Sequence, residues 1–236
     1  FHFIFRTIGR DDQQGPAAAK FIINKAKPKK VAVLHDKQSY GQGIAASVRD
    51  ELKKANVEVA LFEGINAGDS DYSAVITKLK SAGADFVYYG GYHPEMGLLL
   101  RQAAEQGLKV RMMGPEGVGN PEINAIAGNA VEGMLVTLPA DPASKPENAA
   151  LVKAFKDKGR DPSGAFQMGA YTATQVLAQS IKAVGDDAEK VADYLHKTAF
   201  NMPSGNVAWD AKGDLKAFDF PVYSWHKDGS KSVAEK

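Results

Sequence analysis

Three short blocks rich in tyrosine, glutamate and glycine each follow an apolar, strand-like run. The blocks are His35–Gly41, Gly90–Met96 and Met113–Gly117. In an open parallel sheet all three would emerge at the carboxyl ends of the strands, the edge at which such folds bind small molecules. Convergence of Tyr40, Tyr92 and Glu116 there predicts a site for a small, cationic or zwitterionic, partly apolar ligand.

Glu116 lies in a loop with glycine at positions 114, 117 and 119. Glycine lets the backbone adopt turns that other residues resist, so the chain at Gly117 can approach a ligand closely. A carboxylate in such a loop can hold a ligand ammonium through a charge-assisted hydrogen bond. The alternative is a solvated glutamate on a surface loop.

Each tyrosine also has two interpretations. Tyr92 follows Gly90-Gly91 and offers an apolar ring and a polar hydroxyl, but such a ring can equally pack the rim of the sheet. Tyr40 precedes a predicted helix start at Gly41-Gln42-Gly43, where a ligand carboxylate or phosphate would be favoured. This glycine pair lacks the third glycine of a dinucleotide-binding motif, so nucleotide binding is weakly supported.

Other chemistries find little support in the sequence. The five histidines are scattered without the spacing of a zinc helix, and we predict neither a metal nor a cofactor. No Gly-x-Ser-x-Gly motif is present, and Asp11 and Asp12 are adjacent and would point opposite ways on an extended segment. We therefore predict no catalytic residue and no enzyme activity.

Composition points to an ordinary globular protein. Of 236 residues, 44% are hydrophobic and 24% are charged, and 29 basic against 28 acidic residues leave a net charge of +1. That balance gives no electrostatic reason to expect nucleic acid or an anionic membrane as a partner. Cysteine is absent, which excludes disulfides and thiolate chemistry within these residues.

The elements that would position the three blocks alternate between strand and helix. The predicted strands are Val31–Leu34, Val57–Ile65, Asp85–Tyr89, Lys109–Met113 and Val131–Leu138. The predicted helices are Gly43–Ala55, Asp71–Ser81 with Asp69 or Ser70 as its cap, Pro94–Gln106 and Pro121–Ala127. This alternation favours a parallel sheet, so residues 11–139 are predicted to form one doubly wound lobe.

A different pattern follows the proline-rich segment Pro139–Pro146. Three helices are predicted at Glu147–Lys158, Gly169–Val184 and Ala188–Thr198, and strands only at Gly205–Trp209 and Phe218–Trp225. The middle helix is expected to bury a face that carries Ala170, Thr174, Leu177, Ala178 and Ile181. These helices need a sheet that residues 1–10, with their alternating strand-like start, cannot supply alone. We therefore expect the missing strands before Phe1 and treat this second lobe as incomplete.

The sequence resembles the periplasmic branched-chain amino-acid (leucine, isoleucine, valine) binding proteins of bacterial ABC importers, and a pseudomonad-type member in particular. The likeness lies in Phe5–Asp11, His35–Gly41, Phe86–Met96, Met113–Gly119, Asp161–Gly164 and Trp209–Lys216. The resemblance implies an α/β, type I fold of two doubly wound parallel-sheet lobes joined by a three-strand hinge. About the first third of the protein would be missing, signal peptide included, and the first lobe would be incomplete.

The resemblance also implies the domain limits. Residues 1–10 would end the first lobe and enter the hinge, and 11–139 would form the ligand-binding second lobe. Residues 140–219 would return to the first lobe, and 220–236 would cross back to the second.

Functional residues carry over by the same likeness. Glu116 would hold the ligand ammonium, Tyr40 and Tyr92 would contact the ligand, Asp11 would lie at the hinge near the amine, and Phe166 would line the side-chain pocket. The implied protein is a periplasmic monomer that captures a free aliphatic amino acid between its lobes and delivers it to ABC permease subunits. The carboxylate anchors would lie in absent first-lobe loops, so we expect no binding by this segment alone.

Three alternatives stay open. Gln167, next to the predicted pocket, departs from the apolar residue expected there and would favour another zwitterion such as a γ-amino acid. The same fold could serve as the sensing domain of a regulator or receptor, which the sequence upstream of Phe1 would reveal. A nucleotide-dependent α/β enzyme would need a phosphate loop or an activated nucleophile, and neither is readable.

Overall fold

The computed structural model describes residues 2–164 and 166–234; Phe1, Ala165, Glu235 and Lys236, which fall in the predicted segments 1–10, 140–219 and 220–236, lie outside them. The chain divides into a larger unit, Arg10–Leu138 with Phe220–Lys236, and a smaller unit, Phe1–Gly9 with Pro139–Asp219. It passes between the units three times. The predicted limits differ from these by one residue at the first two crossings and coincide at the third.

Helices and strands alternate along the first part of the chain. The helices are α1 (Asp11–Phe21), α2 (Ser39–Lys54), α3 (Ser73–Ala82), α4 (His93–Glu105), α5 (Ile123–Ala127), α6 (Ala149–Lys156), α7 (Gln167–Val184) and α8 (Ala188–Lys197). The strands are β1 (Val31–His35), β2 (Val59–Gly64), β3 (Phe86–Gly90), β4 (Arg111–Gly114), β5 (Leu135–Thr137), β6 (Phe200–Met202), β7 (Gly205–Val207), β8 (Val222–Trp225) and β9 (Lys231–Val233). No described helix is long and apolar enough to cross a membrane.

The larger unit is built on one sheet in the order β2-β1-β3-β4-β5-β8-β9. The first five strands are parallel, as predicted, whereas β8 pairs antiparallel with β5, and β9 pairs antiparallel with β8. The predicted strand Phe218–Trp225 shortens to β8, which lies antiparallel between β5 and the edge strand β9. The strand order reverses between β1 and β3, and such a reversal opens a crevice at the carboxyl ends of the strands.

Both faces of the parallel sheet are covered. On one face, α1 and α2 pack against Val31, Val33, Phe86 and Tyr88, which are almost completely buried. Side chains alternate between the faces of a strand, so Ala32, Leu34 and Val87 face the opposite side. There, α3, α4 and α5 bury a second apolar layer. This arrangement fixes the carboxyl edge of the sheet between two helical layers.

Local turn chemistry moved several predicted boundaries. Helix α2 begins at Ser39 instead of Gly43, because the Gln38 amide donates to Asp36 Oδ1 (2.9 Å) and the chain enters the helix at once. The predicted caps of α3, Asp69 and Ser70, are wrong: the Ser73 amide donates to Asp71 Oδ1 at 2.8 Å.

Two predicted strands also need correction. The predicted strand Val131–Leu138 shortens to Leu135–Thr137, since residues 128–131 form a 3₁₀ turn. The alternating start of the chain is not a strand in residues 2–10. Here main-chain groups bond to the 209–213 segment: the Arg6 amide donates to Gly213 O (2.9 Å), and Trp209 Nε1 donates to Arg6 O (2.6 Å).

The smaller unit contains α6, α7, α8 and the β6–β7 hairpin. Its core joins α7 and α8 to the hairpin through Val176, Leu195, Phe200 and Trp209. The face of α7 predicted to be buried is wrong, since the buried residues of the helix are Met168, Thr172, Val176 and Ser180. Leu177 and Ile181 are 47% and 46% exposed, because the described residues of this unit contain only the hairpin as a sheet.

We expect Gly90→Ala to destabilise the larger unit, because its Cβ would lie inside contact distance of the Gly41 carbonyl oxygen. Overpacking of this kind costs about 1–3 kcal/mol, and each kcal/mol lowers Tm by about 2–4 °C in a chain of this size. Gly43→Ala is the matched control, since a Cβ there has nothing within 4 Å and alanine favours the helix. Equal Tm values for the two variants in thermal unfolding would contradict a tight contact.

Candidate functional site

Five of the six predicted site residues lie in the larger unit. Tyr40 is in the first turn of α2, Tyr92 immediately precedes α4, and Asp11 opens α1. Glu116 and Gly117 belong to a 3₁₀ turn that follows β4. Four of these five therefore lie just after the carboxyl ends of β1, β3 and β4, the edge that the sequence predicted.

Tyr40, Tyr92 and Gly117 form one contact group. The two tyrosine rings lie 5.4 Å apart between centroids at an interplanar angle of 39°, and the Gly117 amide donates to Tyr40 Oη at 3.4 Å. A Cβ at Gly117 would lie 3.1 Å from Tyr40 Cε1, 3.2 Å from Tyr92 Cδ1 and 2.6 Å from Gly91 O. Only glycine fits between these rings without moving them.

Glu116 is a partly buried carboxylate without a cation. Its Oε2 atom is buried and has no hydrogen-bond partner among the described residues. Burial, and after it the negative charge of Asp11, raises the pKa of Glu116 to about 7. The described ion pairs do not include Glu116. A carboxylate in these surroundings would be stabilised by a positively charged ligand group.

The electrostatics also keep the Tyr40 hydroxyl neutral. Burial raises the pKa of Tyr40 first, the nearby Glu116 adds to the rise, and the hydrogen bond from Gly117 opposes it. Since this hydroxyl accepts the Gly117 amide, its own proton is available to a second acceptor.

The arrangement fits an ammonium ion better than a metal. An ammonium donates hydrogen bonds, and one buried carboxylate oxygen can accept them. Within the described residues, no group of three or more histidine, cysteine, aspartate or glutamate side chains could hold a metal. The two tyrosine rings add apolar surface beside the carboxylate.

Asp11 differs from the other four. It is exposed in the first turn of α1, and its charge contributes to the raised pKa values of Glu116, Tyr40 and Tyr88. Asp11 therefore lies near the site and makes it more negative.

Phe166 lies in the smaller unit. It immediately precedes α7 and is 51% exposed. Its amide donates to Oε1 of Gln167 at 3.2 Å, so this glutamine folds back on its own turn. The predicted influence of Gln167 on ligand choice stays a prediction.

The sequence did not single out two buried polar residues near the tyrosines. Tyr88, within the apolar run of β3, resembled core, yet its buried hydroxyl has no hydrogen-bond partner among the described residues. Burial raises the pKa of Tyr88, and Tyr40 and Asp11 add to the rise. Asp36 lies in the first of the three blocks and is 2% exposed. The only available signal was the Asp-x-Gln spacing before a helix, which is typical of an Asx turn.

Comparison with known proteins settles the family. A family model described as "Periplasmic binding protein" matches residues 1–230. The chain belongs to the periplasmic binding protein family. The predicted resemblance to periplasmic binding proteins is thereby confirmed.

Named members of the family are longer than this chain. A leucine-, isoleucine-, valine-, threonine- and alanine-binding protein of Pseudomonas aeruginosa is 58% identical over 98% of this chain and 62% of its own length. A Leu/Ile/Val-binding protein of Escherichia coli is 48% identical over 100% of this chain and 64% of its own length. The chain thus spans less than two thirds of these relatives.

Solved structures confirm the predicted type I fold class. The leucine binding protein LivK from Thermotoga maritima superposes with a TM-score of 0.88 at 31% identity, over 99% of this chain and 67% of that one. The substrate binding protein LivJ from Streptococcus pneumoniae, solved with isoleucine, gives 0.86 at 25% identity, over 99% and 67%.

We expect Glu116→Gln to raise Tm at pH 8 by a few degrees and to leave it nearly unchanged at pH 4. The folded-state pKa of Glu116, about 7, exceeds the unfolded value of 4.5. Protonation of Glu116 therefore makes its full contribution to the free energy of unfolding below pH 4.5. It is lost as the pH rises through 7, whereas glutamine has no proton to lose. Thermal unfolding of both proteins from pH 4 to 8 measures the difference, and a constant gap would contradict the raised pKa.

Proposed function

We propose that this chain forms the ligand-binding part of a periplasmic solute-binding protein that captures a free aliphatic amino acid and delivers it to an ABC importer. The observation that carries the proposal is the buried Glu116 oxygen without a hydrogen-bond partner, beside two tyrosine rings in contact. A charged amine and an adjoining apolar side chain complement those features.

Each site residue has a stated part in the proposal. The ligand ammonium binds Glu116, whose charge is otherwise uncompensated. Tyr40 and Tyr92 contact the ligand with their rings, and Gly117 lets the main chain approach it. Asp11 adds negative charge near the amine. Phe166, whose aromatic ring is exposed, is proposed as a further residue that contacts the ligand side chain.

The relatives support an aliphatic, branched ligand. The named Pseudomonas and Escherichia coli proteins bind leucine, isoleucine and valine, and LivJ was solved with isoleucine. LivJ is described as the substrate binding protein of a branched-chain amino acid transporter, which supports capture without turnover. We place this protein in the periplasm, as a monomer whose ligand-bound form docks on membrane permease subunits.

Glu116→Ala is expected to weaken leucine or isoleucine binding by the full-length protein by at least about tenfold, because hydrogen bonds to charged groups contribute about 1.5–3 kcal/mol. Isothermal titration calorimetry measures this loss. Glu122→Ala is the matched control, since the Glu122 side chain is 77% exposed and pairs with His93 at 3.3 Å. Unchanged affinity in the Glu116 variant would contradict the assignment.

Affinity is also expected to depend on pH. An ammonium binds the ionised carboxylate, and with a ligand-free pKa of about 7 that form declines as the pH falls. The association constant should be flat above pH 8 and fall by about tenfold per pH unit below pH 6. Titrations in two buffers of different ionisation enthalpy should show proton release at pH 7. Affinity independent of pH between 5 and 8 would rule out Glu116 as the ammonium partner.

A further inference from the structure

Asp36 lies where three segments of the larger unit meet. It directly follows β1 and is 2% exposed. Its Oδ1 accepts the Gln38 amide at 2.9 Å, which forms the turn into α2, and its own amide donates to Gly90 O at 3.1 Å. One residue thus holds the start of α2 and the end of β3.

The main chain around Asp36 is packed so closely that no additional side-chain atom fits at Gly41 or Gly90. A Cβ at Gly41 would meet the Asp36 carboxylate and the Gly90 carbonyl oxygen, and a Cβ at Gly90 would meet Gly41 O. Tyr40 immediately precedes Gly41, and Tyr92 lies two residues after Gly90. A shift of the Asp36 carboxylate would therefore be transmitted to both rings.

The second carboxylate oxygen of Asp36 destabilises the folded protein. Its Oδ2 atom is buried and accepts no hydrogen bond from the described residues. Burial raises the pKa of Asp36, and the negative charge of Glu95 adds to the rise. A buried, unsatisfied carboxylate destabilises a fold, so its presence calls for a compensating role.

We propose that Asp36 is a positioning residue that sets Tyr40 against Tyr92 for ligand binding. The proposal rests on the proposed function for its effect on affinity, but the placement of the rings is measurable without a ligand. Asp36 acts through its Oδ1 acceptor. Asparagine has the same acceptor, so Asp36→Asn should preserve the positions of the two rings.

The larger unit contains its own control for this turn. Asp71 Oδ1 accepts the Ser73 amide at 2.8 Å at the start of α3, the same two-residue spacing before a helix. Asp71 is exposed and is not among the site residues. Loss of either carboxylate removes an equivalent turn, but only the loss of Asp36 should affect the two tyrosines.

The test compares the full-length wild type with Asp36→Ala, Asp36→Asn and Asp71→Ala. We expect Asp36→Ala to weaken leucine binding by about tenfold in calorimetry, the effect of one or two hydrogen bonds. Asp36→Asn should stay within about threefold of wild type, and Asp71→Ala should bind as wild type. If Asp36→Ala does not fold, Asp36→Ser, with its shorter acceptor, should show an intermediate loss.

Fluorine NMR of ligand-free, fluorotyrosine-labelled protein reads the ring positions directly. The resonances of Tyr40 and Tyr92, assigned with phenylalanine variants, should shift in Asp36→Ala and not in Asp71→Ala. Wild-type ring resonances in Asp36→Ala, or equal effects of the alanine and asparagine variants on binding, would overturn the proposal. If the wild-type protein itself binds no amino acid in calorimetry, the proposed function is contradicted, whatever the ring resonances of the variants show.

Discussion

The carboxyl edge of the larger unit depends on a main-chain contact between Gly41 and Gly90. Neither position has space for a Cβ, so the first turn of α2 packs directly on the end of β3. These two segments flank the point at which the strand order reverses, where open sheets form a crevice. Tyr40 and Tyr92 flank this contact in the chain, and their rings lie together at the same edge of the sheet.

The Glu116 carboxylate has no positively charged partner among the described residues. Burial, and after it the negative charge of Asp11, raises the pKa of Glu116. This raised pKa lowers the stability of the ligand-free fold at neutral pH. A salt bridge within the protein would remove that cost but would also occupy the carboxylate. Under the proposed function, a ligand ammonium would supply this positive charge, so part of the binding free energy would come from relief of the destabilisation.

The sequence predicted what depends on periodicity and missed what depends on single turns and on packing partners. The alternation of strand-like apolar runs with helical patterns was sufficient to predict the parallel strands and the convergence of Tyr40, Tyr92 and Glu116. The start of α2 required knowledge of Asp36, whose turn overrides the low helix propensity of the glycines. The buried face of α7 depends on what packs against it, which periodicity alone does not specify when both faces carry apolar residues.

Recognition of the ligand divides into a common part and a selective part. The charge-assisted contact with Glu116 would be made by every amino acid and contributes nothing to discrimination among them. Under the proposed function, selectivity would then depend on apolar surface such as the Tyr92 ring, which is 43% exposed. A methylene group in an apolar pocket changes binding by only about 1–3 kcal/mol. A site built in this way should accept several aliphatic amino acids with graded affinity, since its strongest interaction ignores the side chain.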